Sequence, residues 1–361
     1  DPYVGRINFV KVVSGTLTPG TELVNSRTGK KERIAHVFKV IGKETTDIDA
    51  APAGDIAVLT KLADTLTNDT LSAKGDIAFA PLPVPEPLYP VAIVAKTKAD
   101  EDKLGTALKT IVEEDPALSL RRDEETHQTV VAAMGDAAID VLLARLRERF
   151  HVEAEVAELR IPYRETIRRT AQAQGRHKKQ TGGSGQFADC WLRVEPNPGA
   201  GYEFLDEIVG GRISKPYIVA IDKGVQDTMA SGAIAGYPVQ DVKVAVYDGS
   251  MHSVDSNEMA FKTAARIGFR AAVEKADPVI LEPIATLTVE VPDEHAGAVM
   301  GDISSLRGRI LGMDSPEAGI QVIKAHAPYA EVVHYSPHLR SITSGTGTFT
   351  VSIDSYEQVP G

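Results

Sequence analysis

The chain has 361 residues and a formal net charge of −11, with 43% hydrophobic and 25% charged residues. This length predicts roughly two to four domains, and no apolar run is long enough to cross a membrane. The acidic balance argues against non-specific binding of nucleic acid over the whole surface. The single cysteine, Cys190, excludes an internal disulfide and favours a reducing, cytoplasmic location. Because Asp1 leads at once into strand-like sequence, we interpret the chain as a fragment whose natural N-terminal part is missing.

Residues 1–84 contain short β-rich runs separated by turn signals, which predict a small closed β-barrel. The runs are RINFVKVVSGTL, TELVNS, ERIAHVFKVI and GDIAVLTKL. The stretch PLPVPEPLYP at 81–90 is too rich in proline for a strand or helix interior. It therefore predicts a linker and a domain boundary.

Residues 85–160 alternate in the order strand, helix, strand, strand, helix, strand, which is typical of a ferredoxin-like domain. The helices are predicted in DEDKLGTALKTIVEED and AIDVLLARLRERF. Residues 284–361 repeat this order and predict a second ferredoxin-like domain. The expected fold class is therefore α+β and multidomain, with residues 161–283 forming a separate middle domain.

The middle domain contains the stretch GRHKKQTGGSGQFADC at 175–190, where basic residues run into a glycine-rich turn. A P-loop would place Lys-Ser or Lys-Thr after the glycines, and a dinucleotide fingerprint would be followed by a helix. Here the lysines precede the glycines, and the strand-like QFADCWLRVEP follows them. The stretch therefore predicts a hairpin with a mobile, cationic tip and no nucleotide site. A solvated charge run is the alternative interpretation of the basic residues.

Other local patterns are weaker indications of chemistry. HSVDS places His252 near Asp255, but no nucleophile elbow accompanies them, which argues against a hydrolase triad. His334 and His338 are four residues apart, yet Ser336-Pro337 predicts a helix start between them, so a metal site is disfavoured. We expect Trp191 to pack in the domain core, with RNA stacking as the alternative.

The sequence contains the long motifs QTGGSGQF, AGYPVQDVKVAVYDGSMHSVDSNEMAFKTAARIGF and GDISSLRGRILGM, besides the opening DPYVGRINFVKVVSGTL. These collinear motifs resemble elongation factor G, the ribosomal translocase. The resemblance covers essentially the whole chain. It implies the family's second to fifth domains: a β-barrel, a ferredoxin-like domain at 85–160, an elongated ribosomal-protein-like α/β domain at 161–283 and a second ferredoxin-like domain. The family's GTPase domain has no counterpart here, so this fragment is expected to bind no cofactor, with GTP and Mg²⁺ held by the missing domain.

The resemblance also implies two tip loops, at 180–186 and 247–255, that enter the decoding site of the ribosome. There they would contact ribosomal RNA and the tRNA–mRNA helix. Glycines allow close approach to a helix groove, and Gln and His side chains bind ribose and phosphate without selecting a base sequence. The predicted RNA-contacting residues are Arg176, Lys178, Lys179, Gln180, Thr181, Gly182, Gly183, Ser184, Gly185, Gln186, Asp248, Gly249, Ser250, His252 and Asp255. The expected partners are the ribosome and the missing GTPase domain, with no membrane and a monomeric chain.

Three positions depart from the family pattern. Ser184 stands where the family usually has arginine, residues 135–139 read GDAAI instead of GELHL, and residues 343–347 read TSGTG instead of TQGRG. Each change removes a donor or a charge, which implies a diverged paralogue. The leading hypothesis is the ribosome-binding part of a translational GTPase. The alternative is a regulatory or protection factor that occupies the translocase site without driving translocation.

Overall fold

The computed structural model describes residues 5–42, 44–179 and 185–360. The chain divides into two units, one of residues 1–122 and 129–157 and the other of residues 123–128 and 158–361. Within the described ranges, no helix combines the length and apolar character that a membrane span requires.

The N-terminal segment consists of short strands. They are β1 (Ile7–Lys11), β2 (Thr16–Leu17), β3 (Glu22–Asn25), β4 (Lys31–Arg33), β5 (Phe38–Ile41), β6 (Glu44–Asp47), β7 (Ala51–Pro52), β8 (Ile56–Thr60) and β9 (Leu71–Ser72). The strands pair in the orders β1-β8-β5-β6, β2-β7 and β4-β3-β9. Ile34, Val37 and Leu59 lie in the core of this segment. Closure of these sheets into a barrel stays a prediction.

The next segment has the predicted βαββαβ order, which is confirmed. Its elements are β10 (Tyr89–Ala95), α1 (Lys98–Glu114), β11 (Ser119–Arg122), β12 (Thr129–Ala133), α2 (Asp136–Phe150) and β13 (Ala154–Ala157). The strands pair antiparallel in the order β11-β12-β10-β13. Helix α1 begins after Thr97, whose hydroxyl accepts a hydrogen bond from the Asp100 amide. Residues 135–139, which depart from the family pattern, form the N-cap and first turn of α2, where Ile139 is buried in the core.

The middle segment is a sheet with both of its helices on one face. Its elements are β14 (Arg164–Ile167), β15 (Ala171–Lys179), β16 (Gln186–Pro196), β17 (Glu203–Asp206), α3 (Lys215–Ser231), β18 (Val242–Ser250) and α4 (Glu258–Lys275). The sheet order is β15-β16-β18-β17, with β17 and β18 parallel. Core residues of β16 and β18, such as Leu192 and Val244, pack with Phe261 and Phe269 of α4. Strand β14 instead pairs with β19 of the following segment.

The C-terminal segment confirms the second predicted βαββαβ order and adds a short helix. Its elements are β19 (Pro278–Pro292), α5 (Asp293–Ser305), β20 (Arg309–Glu317), β21 (Ile320–Pro328), α6 (Tyr329–Val332), α7 (Tyr335–Ile342) and β22 (Thr348–Gln358). The strand order is β14-β19-β21-β20, with β22 also paired to β19. Residues 343–347, which depart from the family pattern, follow the C-terminal end of α7, with Thr343 as the C-cap. There the buried Thr343 hydroxyl donates to the Leu339 carbonyl at 2.7 Å and accepts from the Gly347 amide at 2.9 Å.

Two sequence-based assignments are wrong in this half of the chain. Helix α7 begins at Tyr335 with His334 as its N-cap, so Ser336 and Pro337 lie inside the first turn. Trp191 is only partly buried, because it alternates with Cys190 and Leu192, whose side chains point into the core. Cys190 itself is fully buried, and burial raises the pKa of its thiol to about 12, which keeps it protonated and unreactive near neutral pH.

Candidate nucleic-acid interface

The first predicted tip loop closes the β15–β16 hairpin. Lys179 pairs with Gln186, and Lys178 pairs with Phe187, so the strands remain in register up to the loop. The predicted contacts Gln180, Thr181, Gly182, Gly183 and Ser184 lie outside the described residues. The described end of the loop is Gly185 and Gln186, and the side-chain oxygen of Gln186 lies 2.9 Å from Nε2 of His177.

The basic residues of this region fall into two groups. Arg176, Lys178 and Lys179 are exposed near the hairpin tip, and no ion pair involves them among the described residues. The Arg176 guanidinium lies 6.0 Å from the ring centroid of Phe187. By contrast, Arg168 and Arg169 precede β15 at its other end, and both pair with Asp277. Charge available to an anionic ligand is therefore concentrated at the tip.

The second predicted loop lies against the described end of the first. The Phe187 amide donates to the Asp255 carbonyl at 2.8 Å, and the Ser256 hydroxyl donates to the Phe187 carbonyl at 2.8 Å. A Cβ atom at Gly185 would lie 2.8 Å from the carboxyl carbon of Asp255. These contacts bring both predicted loops to the same end of the sheet, although 60 or more residues of sequence separate them.

His252 caps the turn at the apex of the second loop. Its Nδ1 atom accepts hydrogen bonds from the amides of Val254 at 3.3 Å and Asp255 at 3.1 Å. Oδ2 of Asp255 also lies 3.4 Å from Nδ1, but the two backbone amides are closer and assign Nδ1 as the acceptor, which places the hydrogen of the neutral ring on Nε2. The His252 side chain is 53% exposed. The loop therefore offers an imidazole N–H donor, whose natural partner is an acceptor such as a phosphate or ribose oxygen.

The predicted contacts Asp248, Gly249 and Ser250 belong to strand β18 and precede the turn. Arg212 donates to Asp248 at 2.6 Å and lowers the pKa of that carboxyl. A Cβ atom at Gly249 would lie 2.3 Å from the Asp189 carbonyl oxygen, so the glycine is required for packing of the strands. Their role as RNA contacts stays a prediction, whereas a structural role for Asp248 and Gly249 is evident.

Sequence patterns missed Glu165, which organises the loop between α3 and β18. Its side chain is fully buried and accepts hydrogen bonds from five consecutive backbone amides, at 233–237, over distances of 2.7–3.2 Å. The one available signal was a single acidic residue within the basic run at 161–180. Nothing local indicated that its partners lie about 70 residues later.

Family models match nearly the whole chain in consecutive segments. Elongation factor G domain 2 matches residues 1–74, and Elongation Factor G, domain III matches residues 84–158. Elongation factor G, domain IV matches residues 159–277, and Elongation factor G C-terminus matches residues 279–361. The chain belongs to the elongation factor G family. Both tip loops fall within the elongation factor G domain IV match, and so do Glu165 and Trp191.

A crystal structure of a protein from Thermus thermophilus has the same architecture. It is 37% identical in sequence, with a TM-score of 0.84. The match covers 100% of this elongation factor G chain and 54% of the other chain, so this chain spans about half the length of that protein.

Proposed function

We propose that this chain is the ribosome-binding portion of an elongation factor G-like translational GTPase that acts in tRNA–mRNA translocation. The observation that carries the proposal is the convergence of two loops at one end of the domain IV sheet. There, the Phe187 ring centroid lies 6.0 Å from the Arg176 guanidinium and 6.3 Å from the His252 ring centroid. Arg176, Lys178 and Lys179 are exposed and have no ion-pair partner among the described residues. The acidic body disfavours binding elsewhere, so the tip is the part suited to RNA. GTP and Mg²⁺ would be bound by a separate GTPase domain.

The chemistry at the tip suits a factor that must act on every codon. An imidazole N–H donor and lysine ammonium groups bind phosphate and ribose oxygens, which are the same at every position of an RNA helix. None of these groups selects a base sequence. The alternative is a regulatory or protection factor at the same ribosomal site. It is favoured by Ser184 and residues 343–347, which lack the arginines usual in the family. A translocation assay with the full-length protein separates the two.

Substitutions at His252 separate RNA contact from turn capping. His252→Asn keeps a side-chain acceptor for the turn amides and removes the Nε2 donor, whereas His252→Ala removes both. We expect both variants to slow translocation about tenfold, as loss of one hydrogen bond predicts. Only His252→Ala should also lower the free energy of unfolding, by about 1 kcal/mol. Translocation by His252→Asn at the wild-type rate would show that the ring serves only as a cap.

The salt dependence of ribosome affinity tests the cations at the tip. Each phosphate contact adds roughly 0.7 to 0.9 to the slope of log affinity against log salt. If both lysines contact phosphate, the double variant Lys178→Gln, Lys179→Gln should flatten that slope by about 1.4 to 1.8.

The matched control is Arg168→Gln with Arg169→Gln, which removes the same charge from residues already paired with Asp277. We expect this control to leave the slope unchanged in the same series of ribosome-binding titrations. A wild-type slope for the lysine variant would mean that Lys178 and Lys179 point into water and form a solvated charge run.

A further inference from the structure

In the described part of the chain, helices cover one face of the domain IV sheet and none packs on the other face. Helices α3 and α4 pack on the face that carries Ala188, Cys190 and Leu192. The alternating residues of β16 point the other way, and among them are Phe187 and Trp191. We call this second side of the β15-β16-β18-β17 sheet the open face.

An aromatic pair lies in the middle of the open face. The ring centroids of Trp191 and Tyr247 are 6.4 Å apart with an angle of 50° between their planes. Tyr247 lies where the pairing of β16 with β18 shifts by one residue, since Trp191 pairs with Asp248 and Leu192 pairs with Val246. This bulge places an extra aromatic side chain beside Trp191. Both rings are partly exposed, although burial of such large apolar surfaces is the usual outcome.

Polar groups on the open face are arranged around this pair. The Tyr247 hydroxyl donates to the Gln172 side chain at 3.1 Å, and the Gln174 amide donates to Asp189 at 2.8 Å. Gln172 and Gln174 are exposed on β15 and add amide donors and acceptors beside the rings. Such groups match the edges of a nucleotide base.

The charge pattern favours an anionic strand as the occupant. The carboxylates of the open face are engaged within the chain: Arg193 pairs with both Glu195 and Glu207, and Arg212 pairs with Asp248. Asp189 has no ion pair among the described residues and instead accepts hydrogen bonds from Gln174 and Ser250. The cations toward the tip, Arg176 and Lys178, have no ion-pair partner in the described part of the chain. A phosphate chain would therefore find its charge complement on the tip side of the aromatic pair.

The dimensions fit a short stretch of single-stranded nucleic acid. Phe187 and Trp191 are four residues apart on one strand, which corresponds to roughly 13 Å. A few nucleotides of single-stranded RNA would cover this distance between the cationic tip and the aromatic pair. Aromatic rings on an open sheet, with cations leading to them, are the usual elements of a single-strand platform.

We infer that the open face binds an unpaired RNA base, which stacks on the Trp191–Tyr247 pair while the adjoining phosphates run toward Arg176 and Lys178. The inference rests on the RNA-binding role proposed for this domain, and it adds a contact beyond the tip loops. It commits to single-stranded RNA. A duplex keeps its bases stacked inside and offers the rings nothing to stack on.

The sole tryptophan of the chain makes the test direct, because all tryptophan emission comes from Trp191. The whole chain is titrated with ten-nucleotide oligoadenylate, with oligouridylate and with the duplex that the two form. We expect saturable quenching with the single strands and little with the duplex. Tyr247→Leu should weaken single-strand affinity at least about fivefold, and Tyr247→Phe, which keeps the ring, should stay within about twofold. Circular dichroism verifies folding of both variants.

The inference is overturned by equal quenching with the duplex, by unchanged affinity of Tyr247→Leu, or by absence of quenching. Anisotropy of labelled RNA is measured in parallel. RNA binding without quenching would mean that phosphate contacts at the tip suffice and the open face is not a platform. Ribosome co-sedimentation of the wild-type full-length protein is measured separately. If the wild-type protein does not bind ribosomes, the proposed function is contradicted. If it binds ribosomes but RNA does not quench Trp191, only this inference is contradicted.

Discussion

Gly175→Ala is expected to lower the free energy of unfolding by about 3 kcal/mol, which is the upper part of the range for overpacking. A Cβ atom at Gly175 would lie 1.9 Å from the Ala264 carbonyl oxygen and 2.7 Å from the Gly268 amide nitrogen. Both are backbone atoms of α4, so the overlap is relieved only by moving the helix away from β15. Movement of α4 would also disturb the core around Phe261 and Phe269. Urea unfolding followed by Trp191 fluorescence measures the loss.

The matched control is Gly297→Ala in α5 of the same unit. A Cβ atom there meets nothing within 4 Å, and alanine favours helix over glycine by about 1 kcal/mol. We therefore expect Gly297→Ala to be neutral or stabilising. Similar stability for Gly175→Ala and Gly297→Ala would contradict the close approach of β15 to α4.

Glu165→Gln is expected to destabilise the same unit by about 3 to 5 kcal/mol, in the range found when one partner of a buried charge interaction is removed. One carboxylate oxygen accepts from the amides of Ala233 and Ile234, and the other accepts from three further amides. A glutamine side chain would have to direct its NH2 group at one of these two sets of amides. Donors would then face donors, and no hydrogen bond could form there. At least two backbone amides then lose their acceptor, and the buried side chain at 165 keeps polar atoms without a matching partner, which is costly.

Limited proteolysis together with urea unfolding tests this prediction. The loop at 233–237 should become cleavable in Glu165→Gln, because its five amides no longer converge on one carboxylate. Glu290→Gln is the control, since Glu290 is exposed on β19, and such changes stay within about 0.5 kcal/mol. If Glu165→Gln lowers the free energy of unfolding as little as the control does, Glu165 does not hold the loop at 233–237 in place.

The sequence predicted element order well because hydrophobic periodicity is local. Both βαββαβ orders and the β15–β16 hairpin follow from alternation and turn signals within a few residues. The alternation of Trp191 with the core residues Cys190 and Leu192 already indicated that Trp191 lies on the other face of the sheet. The general preference for burying tryptophan led to the wrong assignment. Local pattern and residue preference disagreed there, and the pattern was correct.

Contacts between distant segments were beyond local reasoning. The Glu165 anchor joins residues 68 to 72 positions apart, and the close approach of Gly175 to α4 spans about 90 positions. The cap formed by His252 depends on the exact turn geometry, which no residue pattern specified. The resemblance to elongation factor G implied two tip loops, and the contacts of Phe187 with Asp255 and Ser256 bring the described ends of both loops together.

The central claim, that the paired loops enter the decoding site, is tested most directly by cleavage of ribosomal RNA from a tethered iron chelate. The buried Cys190 thiol is protected, so Ser253→Cys would supply the one accessible thiol among the described residues. Ala200→Cys, beyond the opposite end of β16, gives the matched control. In ribosome complexes of the full-length protein, we predict cleavage of decoding-site RNA from position 253 and none there from position 200. Absence of that cleavage from position 253 in bound complexes, or equal cleavage from both positions, would contradict the account.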